Sequence, residues 1–400
     1  MDTLFKYSSF IVLFFGLSAC DKEVVDPEDE NILVKSYDFV VISSANTNDE
    51  GYILNCRNKL VKLANDGTED WKIDNEKYFS QSEGVTILDV YQTSTGEYLL
   101  SGISHEPYAQ TGANKGNLNV VKMSSKGNII WKKFYSLSKQ METPIDENSF
   151  NIINTIELSS GGYIFTSSMN EKDADDVYVF VKLDTDGNLF FKKKVIFNNG
   201  VLKRVAATAD DGFIVIGRQG PLFAAMYNDS LNLVWKNTYT HTIKDAFSTE
   251  QVANNILEIN SQFYITGYLD RGSGNEVNYD FFILKIGVDG EELMFKTFDT
   301  GKQDYCLSST ITSDNNIAML GGKRILVDYS KETNMYFLKA STSGTKEWDH
   351  EYGESYGMEG VHVKQNQDET FTLIGYKKGY ENSAVDQTIF LQTKADGTTF

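Results

Sequence analysis

The chain has 400 residues, of which 41% are hydrophobic, 13% aromatic and 23% charged, with a formal net charge of −19. That is the composition of a folded globular protein, not a disordered one, and so acidic a chain has no basic face to offer nucleic acid. Four histidines and three cysteines do not supply a multi-ligand zinc or haem centre, so neither a metal nor a cofactor is expected.

Residues 1–19 have the form of a targeting segment: Lys6 is its positive region and Phe10–Leu17 its apolar core. That core is far shorter than the ~20 apolar residues needed to cross a bilayer. It ends in Leu17-Ser18-Ala19-Cys20, which resembles the lipobox of bacterial lipoproteins. The resemblance implies cleavage before Cys20, lipidation of its thiol and an anchored protein of the Gram-negative outer membrane. Buried acyl chains contribute about 0.8 kcal/mol per methylene, enough for stable anchoring once two or three are attached. Residues 20–31 follow as a tether, with six acidic side chains among positions 21–30. Such a tract is solvated and self-repelling. It also resembles surface-export signals next to the lipidated cysteine of some Gram-negative lipoproteins.

Residues 32–400 form one repeating domain, with a period of about 53 residues. Each copy opens with an apolar, usually aromatic, residue followed four positions later by a small one: Tyr52/Cys56, Tyr98/Gly102, Tyr163/Ser167, Phe213/Gly217, Phe263/Gly267, Ile317/Gly321 and Phe371/Gly375. The mainly apolar residues between them describe buried strands, and the small position marks close approach of a neighbouring sheet. A hairpin follows, with glycine at 67, 127, 187, 290, 344 and 397, and an aromatic residue four positions on at Trp71, Trp131, Phe191 and Trp348. Asp-Gly between apolar strands predicts a tight hairpin. In the fourth copy Leu231 replaces the glycine ahead of Trp235, which predicts a different turn there. Lysines five residues before the glycine, such as Lys62, Lys122 and Lys339, are expected to snorkel along the strands.

Seven copies of four short strands, with no helical periodicity, predict an all-β fold: a seven-bladed β-propeller of four-stranded antiparallel blades. Eight blades or an open arrangement are the alternatives. The last copy ends before its outer strand, and residues 32–37 are placed to supply it. The glycine-to-tryptophan hairpins resemble the quinoprotein-like propeller repeat, in which a tryptophan of each outer strand docks on the next blade. No two cysteines are adjacent, so the vicinal disulfide common in quinone-holding dehydrogenases is missing. The resemblance implies packing and no quinone cofactor.

In up-and-down order, alternate connections fall at opposite ends of the sheet. With strands named A to D from the channel outwards, the A–B and C–D turns are short. The B–C and D–A loops (residues 103–117, 269–279, 323–334, 237–250 and 349–359 among them) vary in length and make the candidate ligand face. They carry His105, Tyr108, His241, Arg271, Tyr279, Tyr305, Arg324, Tyr352, Tyr356 and Tyr380. Tyrosines beside polar groups stack on sugars or anchor a protein partner.

No nucleophile elbow, phosphate loop or metal-spaced histidine pair occurs. Asp184-Thr-Asp186-Gly187 has the opening of a calcium loop but reads as turn chemistry. Cys56 and Cys306 read as buried packing residues, not as a disulfide. His362 and Asp89 are polar breaks in apolar inner strands, without an evident partner set. The sequence thus predicts a non-enzymatic, lipid-anchored module that binds a glycan, a peptide or an envelope protein. An assembly scaffold, resembling the quinoprotein-like lipoprotein of the outer-membrane assembly machine, is one alternative. A propeller glycoside hydrolase or polysaccharide lyase is the other.

Overall fold

The computed structural model describes residues 34–400 except 57, 80–84, 107–114, 138–150, 170–176, 198–199, 219, 242–250, 272–277, 328–329, 354–356 and 378–386. Each sequence copy is a four-stranded antiparallel sheet, and there are seven of them. In blade one the strands run outward in chain order as Val41–Asn46, Tyr52–Cys56, Lys59–Leu63 and Glu69–Asp74. The A strands of blades two to seven are Val85–Gln92, Asn151–Glu157, Val201–Ala207, Gln251–Ile259, Gln303–Ile311 and Met358–Gln365. Blade seven takes its fourth strand from the other end of the chain. Val34–Tyr37 pairs with Gln387–Thr393, Val34 opposite Leu391 and Tyr37 opposite Thr388. The fold is a closed seven-bladed β-propeller, and this pairing completes the last blade and ties it to the first. Helix is confined to one 3₁₀ turn, Asn75–Lys77, among the described residues. No described helix is long and apolar enough to cross a membrane.

The core lies between the blades. Seven apolar clusters form, each joining one sheet to its neighbour, including the cluster of Tyr52, Leu54, Ile374 and Phe390 that joins blades one and seven. All seven opening residues of the B strands, from Tyr52 to Phe371, are at most 2% exposed. Burial of each contributes about 1.5–3 kcal/mol, so the repeat motif is a packing motif.

The small position has a different cause from the one its spacing suggested. At Gly267 an added Cβ would lie 1.9 Å from the Val252 carbonyl oxygen, and at Gly321 1.9 Å from that of Tyr305. The close neighbour is the A strand of the same blade, not an adjacent sheet. In every blade the A–B pairing slips at this point, as between Ala253 and Asn255 or Cys306 and Ser308. This bulge presses the A-strand backbone onto the B strand.

The C–D turns are blade-to-blade contacts. Trp71, Trp131, Trp235 and Trp348 each lie against the turn glycine of the next blade, where an added Cβ would meet the ring 2.7–3.6 Å away. Hydroxyls reinforce the contact: Tyr239 donates to the Gly290 carbonyl at 2.7 Å, Tyr78 to that of Gly127 at 3.2 Å, and Tyr37, Tyr135 and Tyr352 to those of Gly67, Gly187 and Gly397. The fourth turn is not different after all. Leu231 adopts φ +57°, close to the φ of 73–80° at the six glycines, and makes the same pair of backbone hydrogen bonds. Its fully buried side chain, packed among Phe213, Phe223 and Tyr227, holds it there.

Several strands run further than expected into the segments assigned to loops. Residues 323–334 are mostly hairpin, because Ile317–Val327 and Ser330–Ala340 pair along their whole length. The motif lysines snorkel to acids: Lys62 meets Asp49 at 3.0 Å, Lys339 meets Asp314 at 2.6 Å, and Lys122 meets Glu97 at 3.6 Å.

Candidate functional site

The bulge sets the wall of the central channel. Just after it, every A strand places one residue opposite the position before the small one: Ser43, Asp89, Asn154, Arg204, Asn255, Ser308 and His362. All seven are polar, although the B-strand residues opposite them include Ile216, Leu320 and Ile374. They ring a cavity of about 650 Å³ lined by all seven inner strands.

Most of the ring is occupied in stitching blades together. Asp89 accepts from the Thr155 amide at 2.8 Å, Asn154 from the Val205 amide at 3.0 Å, and Ser308 from the Val363 amide at 3.3 Å. Asn255 donates to the Ser309 carbonyl at 2.8 Å. His362 Nε2 lies 2.8 Å from Asn46 Oδ1, which closes the ring between blades seven and one. Ser43 accepts from Asn55 within its own blade at 3.3 Å. His362 and Asp89 therefore have partners the sequence concealed. Burial lowers the His362 pKa to about 4, helped by the positive charges of Arg204 and Lys364, so this imidazole is neutral at pH 7. Burial pushes the Asp89 carboxyl upward against the opposing pull of Arg204.

On the loop face the structure gathers four of the predicted residues over blades five and six: Arg271, Tyr279, Tyr305 and Arg324. Tyr268, which the sequence reading passed over, joins them, with ring centroids 5.0 Å from Tyr279 and 6.3 Å from Tyr305. Arg271 meets Asp280 at 2.6 Å and Asp299 at 3.3 Å. Tyr305 donates to Glu359 at 2.6 Å, and Arg324 donates to Gln303 at 3.0 Å. Beneath them lie two fully buried acids, Asp280 and Asp304, each with one carboxylate oxygen unpartnered. Burial pushes Asp280 up to about 6 and Asp304 up to about 7, and each is raised further by a neighbouring acid. Nothing but an acid at a strand start marked either in the sequence.

Two other predicted ligand residues serve packing instead. His241 stacks on Phe295 at 3.5 Å with Nε2 3.0 Å from Glu292, and Tyr352 is bonded to Gly397 of the next blade. Both sit at the ends of outer strands, where the neighbouring blade covers them. Tyr108, Tyr356, Tyr380, the His105 side chain and Cys20 lie outside the described residues. Cys56 and Cys306 are buried free thiols, both pushed up to about 12 by burial. Asp184 caps its own turn, accepting from the Asp186 and Asn188 amides at 3.0 and 2.6 Å. Among the described residues no group of three or more His, Cys, Asp or Glu is placed to hold a metal ion.

No family model matches the chain, and no curated protein matches it. Among solved structures it is similar to the polysaccharide lyase Uly1, with a TM-score of 0.52 at 10% identity over 89% of this chain and 90% of that one. It is similar also to the WD40 domain of Neurospora crassa Pan2, with a TM-score of 0.51 at 8% identity over 91% and 98% of the two chains. A protein of unknown function from Bacteroides caccae aligns with a TM-score of 0.40 at 12% identity, over 65% of this chain and 82% of that one. At such identities the likeness is one of fold alone.

Proposed function

We propose that the protein is a lipid-anchored binding module of the Gram-negative outer membrane, which takes up a glycan on the loop face of blades five and six. The observation that carries this reading is the cluster of Tyr268, Tyr279 and Tyr305 beside Arg271 and Arg324. Aromatic faces stack on the apolar side of a sugar ring while fixed polar groups receive its hydroxyls. Arg271 is held by two carboxylates and Tyr305 by Glu359, so the cluster is ordered before any ligand arrives. The anchor is Cys20 and the acidic residues that follow it give reach from the membrane.

The test is a melting-temperature screen of the purified protein against glycans. A ligand at 100 times its dissociation constant stabilises the fold by about 2.7 kcal/mol, and the shift should vanish in Tyr279→Ala. A flat panel combined with co-purification of an envelope complex would replace this reading with the scaffold. Incorporation of labelled palmitate that disappears in Cys20→Ala tests the anchor separately.

A further inference from the structure

Arg204 is the exception in the channel ring. Six of the seven ring side chains are spent on a hydrogen bond that ties strands or blades together. The Arg204 side chain is exposed to the channel, and no hydrogen bond or ion pair engages it among the described residues. Its influence on Asp89 and on His362 acts through space, and the neutral His362 brings no charge of its own. Asp89 is the charged neighbour of Arg204 through space, and the five donors of the guanidinium are open to the channel, where a ligand oxygen can replace the water that solvates them.

We propose that the channel is a binding site for a small organic monoacid of the size of a sugar acid, its carboxylate held by the Arg204 guanidinium. The volume of about 650 Å³ falls in the range of small-molecule sites. The planar fork of arginine matches a carboxylate with two parallel hydrogen bonds. A single guanidinium can match one carboxylate, and the Asp89 carboxyl nearby disfavours any further negative charge, so a doubly charged phosphate is excluded. The remaining wall is mixed in the way a hydroxylated acid requires. Asn46 and Asn254 bring amides, while the bulge residues Ile42, Leu88, Leu307 and Val361 bring apolar surface at the same level. This site is separate from the tyrosine cluster and does not depend on it.

The test is calorimetric titration of the protein with D-glucuronate, D-galacturonate and L-lactate, with D-glucose as the uncharged control. At least one acid should bind while glucose does not. Arg204→Gln should weaken that acid about tenfold or more, and Arg204→Lys, which keeps the charge and loses the fork, should fall between. Tyr279→Ala should leave the titration unchanged, which separates this site from the loop-face reading. Melting of Arg204→Gln at or above the wild-type temperature would show that the loss is not one of folding. If that variant does not fold, the Lys variant decides alone. Failure of all three acids to bind, or equal binding by Arg204→Gln or by a folded Arg204→Lys, overturns the proposal.

Discussion

The indole Nε1 of Trp235 donates to the Val288 carbonyl at 2.8 Å, and its ring covers Gly290 of the following blade. The hairpin signature and the blade interface are therefore one device. Glycine is needed both for its φ of +79° and because a Cβ there would stand 2.7 Å from the indole.

A paired comparison separates those two demands. Gly220 has φ +77° and open space around it, so Gly220→Ala should lose only the backbone term of about 1 kcal/mol. Gly290→Ala adds the collision with Trp235 and should lose about 2–4 kcal/mol. Denaturant midpoints of the two variants check this, and equal losses would remove the indole from the explanation.

Leu231 inverts the usual order of substitution. Leu231→Ala loses the buried side chain and keeps the positive φ, for a cost of about 2–4 kcal/mol. Leu231→Gly empties the same space but relieves about 1 kcal/mol of backbone strain. The glycine variant should therefore melt above the alanine variant.

Asp280 and Asp304 give the fold a pH dependence of definite sign. Their carboxyl pKa values, up to about 6 and about 7, lie above the unfolded value near 4. Between those limits the folded protein holds more protons than the unfolded chain, so their contribution falls as pH rises from 4 to 7. Asp304→Asn should gain about 1–2 kcal/mol over wild type at pH 8, with little gain at pH 4. Urea unfolding at the two pH values reads this directly.

His362 works in the opposite direction. Its pKa of about 4 lies below the unfolded value near 6.5. The unfolded chain takes up its proton first on acidification, so the contribution of this group is present above pH 6.5 and lost on descent to 4. His362→Gln should flatten stability over that window by about 1 kcal/mol, a figure reduced for contact with channel water. An unchanged pH profile would show that the ring closure at Asn46 does not depend on neutral imidazole.

The number of blades and their four-strand make-up are legible in the sequence because their causes are local, and the closure by Val34–Tyr37 is legible because the last copy lacks an outer strand that this segment can supply. A strand start, a glycine turn and a tryptophan four residues later lie within one copy, and repetition multiplies a weak signal by seven. His362 and Asp89 were visible as polar breaks, but their partners lie 316 and 66 residues away, at Asn46 and Thr155. Arg204 was hidden altogether, since Lys203-Arg204 looks like the solvent side of any strand. It faces the channel because the bulge after Leu202 shifts the pleat by one residue, and a one-residue shift exchanges the two faces of a strand. The tyrosine cluster likewise exists only where blades five and six meet. Local chemistry in the chain determined the blades, whereas the closing of seven blades into a ring decided which polar groups share a cavity and which of them, Arg204, makes no hydrogen bond among the described residues.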